Sequence, residues 1–291
     1  MIGTGLVGLV TALLFLMGGA PDLALTQFAV ESLVVVLLTA AMLALPLATP
    51  NTRSPNAQRR DALLAAVFSA ILFTALVDMS AAPQRTEISE FFGARSYVEA
   101  FGRNVVNVIL VDFRGFDTLG ETTVIALSAV IAFSLLGPRR TSVLREEDVV
   151  TRRVAFALEF ASPLFFWLLT VLSVLVLLRG HNAIGGGFVG GLTAALAYGI
   201  LTLAQGVEAA RTRLVGRPLT LAGSGLLLAV ASGLPGLVAH GNYLQHVWVN
   251  VNVLGIPVKQ GTTLLFDFGV YLAVLGTVLA FLFGLSKEAE R

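Results

Sequence analysis

Residues 23–45 read LALTQFAVESLVVVLLTAAMLAL, an apolar run broken only by Gln27, Glu31 and a few hydroxyls. A helix rises about 1.5 Å per residue and a bilayer core is about 30 Å thick, so roughly 20 such residues cross it. Comparable runs stand between charge clusters at 2–17, 62–78, 118–136, 157–178, 186–205, 219–239 and 262–284. The pattern predicts an all-α fold, a polytopic transmembrane helix bundle of about eight spans. The first run is short, but it lacks the basic flank of a signal peptide and the next span follows almost at once, so it reads as a retained helix.

Composition agrees. Of 291 residues, 56% are hydrophobic and 13% charged, where an ordinary soluble domain carries about a quarter charged residues. A soluble core cannot hide so much apolar surface. The net charge is +1, with no basic cluster interleaved with aromatics, which excludes nucleic acid as a partner. Cysteine is absent, so this chain holds no disulfide, thiolate metal site or cysteine-held iron–sulfur cluster. No cofactor is expected.

Basic residues set the orientation, because short cytoplasmic loops retain them. Arg53, Arg59 and Arg60, then Arg139, Arg140, Arg145, Arg152 and Arg153, then Arg211, Arg213 and Arg217, then Lys287 and Arg291 fall in alternate loops and the tail, and form the majority of the 19. Both termini are therefore expected in the cytoplasm of a multi-pass cell-membrane protein, with 79–116 and 240–261 outside. Within the long loop, 97–111 mixes Val, Ile and Phe with Asn104 and Asn107. It is too short and interrupted to span and fits an interfacial or re-entrant helix. At 246–254 apolar and polar residues alternate, as in a short strand pair. The charge cluster at 139–153 has the character of a linker and places a module boundary near 150, dividing the chain into 1–150 and 151–291.

An ionisable side chain inside a span costs about 2.5–3.5 kcal/mol on insertion scales, so each one needs a reason. Glu31 is the deepest acid, with Gln27 one turn earlier on the same face. A carboxyl that exchanges a proton for a cation is what ion transport requires; the alternative is a protonated acid bonded to a neighbouring helix. Asp117 and Glu121 lie four residues apart, on one face with Ser128, and can hold one cation or share one proton. Asp117 also sits where a helix cap would. Asp267 lies within the last span with nothing nearby in sequence to neutralise it; ion transport and inter-helix bonding are both open for it.

Gly186 with Gly190, and Gly187 with Gly191, make small-xxx-small faces suited to close helix packing. The formal G-x-G-x-x-G that they contain is no dinucleotide fingerprint, because no βαβ unit and no ribose-binding acid accompany it. His181 sits at a loop mouth, where it can relay protons or simply face solvent. His240 and His246, six residues apart, make no resident metal site. No predicted span contains lysine, the natural driver of a proton channel when paired with acids. No Ser-His-Asp, Walker or HExxH signature is present. The chain is expected to be neither an enzyme nor a transporter on its own.

Several of these segments carry a resemblance. GAPDLALTQFAVE at 19–31, NVVN at 104–107 and VDFRGFDTLGETT at 111–123 resemble the carboxy-terminal region of the large A subunit of Mrp-type multisubunit cation/proton antiporters. From about 151 onward, RGHN at 179–182, GGGFVGG at 185–191 and LLFDFGVYL at 264–272 resemble the B subunit of the same complex. Membrane-bound hydrogenases have counterparts as small separate subunits. The resemblance implies that 1–150 is an A-subunit-like membrane module and 151–291 a B-subunit-like one. It further implies that the chain lines part of a cation path, with Glu31, Asp117 and Glu121 as its functional positions and transient holders of sodium. Asp267 joins them as an ion-path candidate from the reading of the residues alone. The partners implied are other membrane subunits of the complex, including separate antiporter-like channel subunits, with sodium ions, protons and surrounding lipid.

Two departures stand out. Ile184 replaces the proline that usually precedes the glycine run, and the large antiporter-like part of the A subunit is absent, so the chain reads as an A-tail joined to B. Two other functions remain open on the sequence: an ion-translocating membrane arm of a hydrogenase-like redox complex, and a scaffold whose acids only pack helices.

Overall fold

A computed structural model describes residues 2–44, 54–81, 86–135, 149–253 and 256–287. The helices are α1 (Ile2–Met17), α2 (Pro21–Ala44), α3 (Pro55–Ala81), α4 (Glu87–Ala100), α5 (Val105–Val108), α6 (Gly115–Leu135), α7 (Val149–Arg179), α8 (Gly187–Gln205), α9 (Val207–Arg211), α10 (Pro218–Ala231), α11 (Leu234–His240) and α12 (Thr263–Lys287). A π-helical turn, Ile109–Phe113, joins α5 to α6, and a hairpin of β1 (Trp248–Val253) and β2 (Ile256–Gly261) precedes α12. Of the basic residues that set the expected orientation, Arg53, Arg139, Arg140, Arg145 and Arg291 lie outside the described residues, as does most of the expected linker.

Among the described residues, 7 segments are long and apolar enough to cross a membrane. The first of the roughly eight expected spans, α1, has 16 residues, short of that length, and packs along α2. The expected span at 219–239 is two helices, α10 and α11. Gly233 and Pro235 interrupt it: proline has no N–H to continue the ladder and opens α11 instead.

The 97–111 stretch is likewise helical in pieces. α4 ends where Phe101 adopts a left-handed φ of 53°, and the chain restarts at Asn104, whose side chain accepts the Asn107 N–H and caps α5. The alternation at 246–254 gives a strand only at β1, whose antiparallel partner β2 lies beyond it, with Trp248 opposite Gly261 and Asn250 opposite Lys259.

The centre of the bundle is α8 and α12, each with 72% of its span buried, against 0% for α3. Small residues put them there. A Cβ on Gly190 would crowd the Ser173 carbonyl of α7, and one on Gly191 the Tyr271 carbonyl of α12. On its other side, α12 meets α10 backbone to backbone, Gly225 lying against Ala273 and Gly269, and Gly276 against Ala222. Such close approach trades side-chain bulk for dispersion contact along the whole crossing, the main source of helix association in lipid. The glycine faces of α8 are thus filled by α7 and α12 of the same chain. α2 packs on α8, and α6 on α12 and α10.

Candidate functional site

The expected acids occupy three different settings. Glu31 is half-buried on α2 and faces α1 at Gly8, where a Cβ would overlap its carboxylate. The missing side chain of Gly8 is therefore the slot in which Glu31 lies. Asp117 is in the first turn of α6, where the macrodipole favours an acid, and forms an ion pair with Arg114. Glu121, one turn on, is exposed, with Phe116, Val124 and Leu127 exposed around it. Ser128 bonds back to the Ile125 carbonyl. α2 and α6 each pack on α12 rather than as a pair, so Glu31 and the Asp117/Glu121 face belong to separate sites within this chain.

Among the described residues Asp267 is the most enclosed acid, 4% exposed. Its Oδ1 accepts the Gly187 N–H at 2.9 Å and its Oδ2 faces the Asn107 side-chain amide at 3.3 Å. The local sequence arranges this contact. Gly185 and Gly186 take φ values of +152° and +120°, which glycine alone adopts without strain, and turn the chain so that the first N–H of α8 points at the carboxylate. Oriented N–H groups at a helix start favour an anion. The partners missing from the sequence near Asp267 come from 80 and 160 residues away.

Around this contact the loops at one end of the bundle are tied together. The Asn104 side chain donates to Asp22 at 3.0 Å and to the carbonyls of Gly180 and Ala183, and Asp22 also accepts the Gly185 N–H. His181 places Nε2 2.7 Å from the Ala100 carbonyl and Nδ1 3.3 Å from Asn107 Oδ1. Burial lowers its pKa, against the raising effect of the bond to Ala100. His181 is thus built into the fold rather than facing solvent.

Beside it opens a cavity of about 610 Å³ whose walls include Glu99, Asp112, His246, Trp248 and Lys259. Burial, with the Glu99 charge adding to it, pushes the Asp112 carboxyl up to about 7. His246 is pushed down to about 4, burial outweighing its bond to the Val111 carbonyl. Both its ring nitrogens are engaged, with Val111 and with Thr262 Oγ1, at 2.8 Å each. The Lys259 ammonium lies 3.2 Å from the Phe101 ring centroid. Sequence reasoning does not single out Asp22, Asp112 or the structural role of His246, and takes Asn104 and Asn107 as polar interruptions and as part of a family-like segment, with no role in bonding. Asn104 at the start of a helical stretch, a favoured N-cap residue, is the available signal.

A family described as a domain related to the MnhB subunit of Na+/H+ antiporter matches residues 157–280. Families described as the E and D subunits of MBH match 56–150 and 1–47 respectively. The probable A/B subunit of a K+/H+ antiporter from Rhizobium meliloti (strain 1021) is 32% identical over 322 residues, covering 99% of this chain and 32% of that protein. The A subunit of the Na+/H+ antiporter of Bacillus subtilis (strain 168) is 37% identical over 138 residues, covering 47% of this chain and 17% of that protein. A chain of the Mrp complex from Dietzia sp. DQ12-45-1b superposes with a TM-score of 0.83 at 31% identity, over 97% of this chain and 32% of that one. The membrane-bound sulfane sulfur reductase (MBS), an archaeal respiratory membrane complex, shares the fold at a TM-score of 0.51 and 23% identity, over 80% of this chain and 95% of its counterpart. The chain spans about a third of the length of the relatives that match it almost whole. It is a multi-pass membrane protein.

Proposed function

Because the chain belongs to the Mrp-type antiporter lineage, joining a region like the end of the A subunit to a MnhB-related domain, we propose that it is a membrane subunit of a multisubunit cation/proton antiporter and lines part of the ion path. The observation that carries this reading is the outer face of α6. Asp117 and Glu121 are exposed there among apolar side chains, and carboxylates are not left against lipid. A neighbouring subunit covers them, and the antiporter-like channel subunits of such a complex are the fitting partners. Glu31, Asp117, Glu121 and Asp267 are the groups of this chain assigned to the path of sodium and protons. The modules are 1–150 and 151–291, with both termini cytoplasmic.

The test is purification with co-purifying subunits, followed by reconstitution. The assembled complex should exchange cation for proton across liposomes, and the isolated chain should not. Robust exchange by the chain alone would refute the subunit reading. The matches to two MBH subunits favour a second reading, a redox-driven membrane arm, and a cysteine-rich peripheral subunit in the purified complex would select it.

A further inference from the structure

The three side chains His181, Asn107 and Asp267 stand in a row from the loop end of the bundle into its interior, and their bonding has only two self-consistent arrangements. His181 Nε2 faces the Ala100 carbonyl at 2.7 Å. A carbonyl accepts only, so Nε2 carries a proton in every state. What varies is Nδ1, which faces the Asn107 amide; the other end of that amide faces Asp267. With Asn107 Oδ1 toward the ring, Nδ1 must donate, so His181 is an imidazolium, and the Nδ2 protons meet an ionised Asp267. With the amide turned over, Nδ2 donates to an unprotonated Nδ1, so His181 is neutral, and Oδ1 accepts from a protonated Asp267. The two arrangements contain the same number of protons.

We propose that His181, Asn107 and Asp267 form a proton-sharing triad, in which one proton alternates between His181 Nδ1 and the Asp267 carboxyl as the Asn107 amide turns over. In the forward direction the N–H bond at Nδ1 breaks, an O–H bond at Asp267 forms, and no co-reactant is consumed. This rests on the antiporter reading and gives that reading a proton site linking the loop end to the interior.

The surroundings suit such an exchange. Asn107 is 4% exposed, so water does not replace its partners. Both of its side-chain contacts in the row are 3.3 Å long, so neither orientation is locked by a short bond. A Cβ on Gly186 would lie 2.7 Å from Asn107 Nδ2, and one on Gly102 would lie 2.7 Å from His181 Nε2. The two glycines thus leave the space in which the amide and the ring sit. The Gly187 N–H holds Asp267 Oδ1 in both arrangements, which leaves Oδ2, the oxygen facing Asn107, as the atom that gains or loses the proton. The other charged or titratable groups of the neighbouring elements are Glu99, which pairs with Arg95, Arg103, which lies over the Tyr97 ring, Asp112, which feels the Glu99 charge, and Asp22, Arg179, His246 and Lys259. Asp22 is held by Asn104 and Gly185, Arg179 by the Ile184 carbonyl, His246 by Val111 and Thr262, and Lys259 by the Phe101 ring.

The test is a double-mutant cycle read on His181 itself, in the assembled complex carrying nitrogen-labelled histidine. The chain has 3 histidines, so His181 is assignable against His181→Gln. Asp267→Asn removes the carboxylate that favours the imidazolium and should lower the His181 midpoint by roughly one pH unit. Asn107→Leu should lower it similarly, and adding Asp267→Asn to Asn107→Leu should lower it no further. Additive shifts, or no shift with Asp267→Asn, overturn the triad. Should either variant fail to assemble, the unmodified complex decides: Nε2 must stay protonated across the titration while Nδ1 alone changes, and the opposite tautomer overturns the proposal. None of these readouts needs transport, so a complex that shows the coupling but exchanges no cation keeps the triad and loses the antiporter reading.

Discussion

Asp267 accepts the backbone N–H of Gly187 at 2.9 Å across 80 residues of sequence, so a side chain near the start of α12 fixes where α8 begins. Its removal should be felt as stability before it is felt as transport. Asp267→Ala leaves a buried N–H and a buried amide without acceptors, about 1–3 kcal/mol for each. Asp267→Asn keeps the shape and one acceptor and should lose less. Thermal unfolding of the detergent-solubilised complex measures both, and an unaltered midpoint for Asp267→Ala would remove the anchoring role.

Packing of α10 on α12 makes a paired prediction. A Cβ on Gly225 would run into the backbone at Ala273 and Gly269, whereas nothing lies within 4 Å of one on Gly223, two residues away on the same helix. Gly225→Val should therefore destabilise by about 3 kcal/mol or more and reduce assembly, while Gly223→Val assembles like the parent. Equal yields of the two variants would contradict the observed helix crossing.

The acids of the ion path call for amides, which keep shape and hydrogen bonding but cannot ionise. Glu31→Gln and Glu121→Gln should assemble normally and lose most exchange. Asp117→Asn, which also breaks the contact with Arg114, should show a mixed defect of assembly and activity. Parent-like exchange by assembled Glu31→Gln would return that residue to helix packing.

Two groups on one cavity wall should pull stability in opposite directions with pH. His246 has a folded value of about 4 below its ordinary 6.5, so the unfolded chain binds the extra proton and stability is lost as pH falls through that window. Asp112 has a folded value of about 7 above its ordinary 3.8; the folded chain holds the proton, and stability is lost as pH rises between them. The effects are on the order of 3–4 kcal/mol each, and where the two windows overlap they largely offset each other. Asp112→Asn should expose the histidine effect, a midpoint that falls on acidification from 6.5 toward 4. His246→Gln should expose the reverse slope. Parallel pH curves for both variants and the parent would show that neither group is perturbed.

Orientation is testable because the chain has no native cysteine. Ser54→Cys should resist an impermeant thiol reagent added outside the cell, and Ser89→Cys should react. The opposite pattern would invert the expected orientation.

The helices were legible because apolar length against a bilayer is a local property: 23–45 and 262–284 announce themselves with no knowledge of neighbours. Breaks were less so. The Ser232–Gly233 interruption and the Phe101 turn depend on one or two residues that a window of about twenty averages away. Partnership was not legible at all. Nothing near Asp267 in sequence announces Gly187 or Asn107, and nothing near Glu31 announces Gly8, because these contacts form between helices whose rotation is set by packing. The glycines at 187, 190 and 191 pointed to close contact without saying with what, and the structure fills them from within the chain.

Three families named for three different subunits lie end to end here in one polypeptide, and the Gly185 N–H donated to Asp22 bridges the last part to the first. In one chain, that contact forms at an effective concentration of about millimolar, instead of waiting for two proteins to meet in the bilayer. A few hydrogen bonds that would be too weak to hold separate subunits together are then enough to orient the joined ones. Fusion also fixes their stoichiometry at one to one, so that every first part inserted into the membrane carries its own copy of the last.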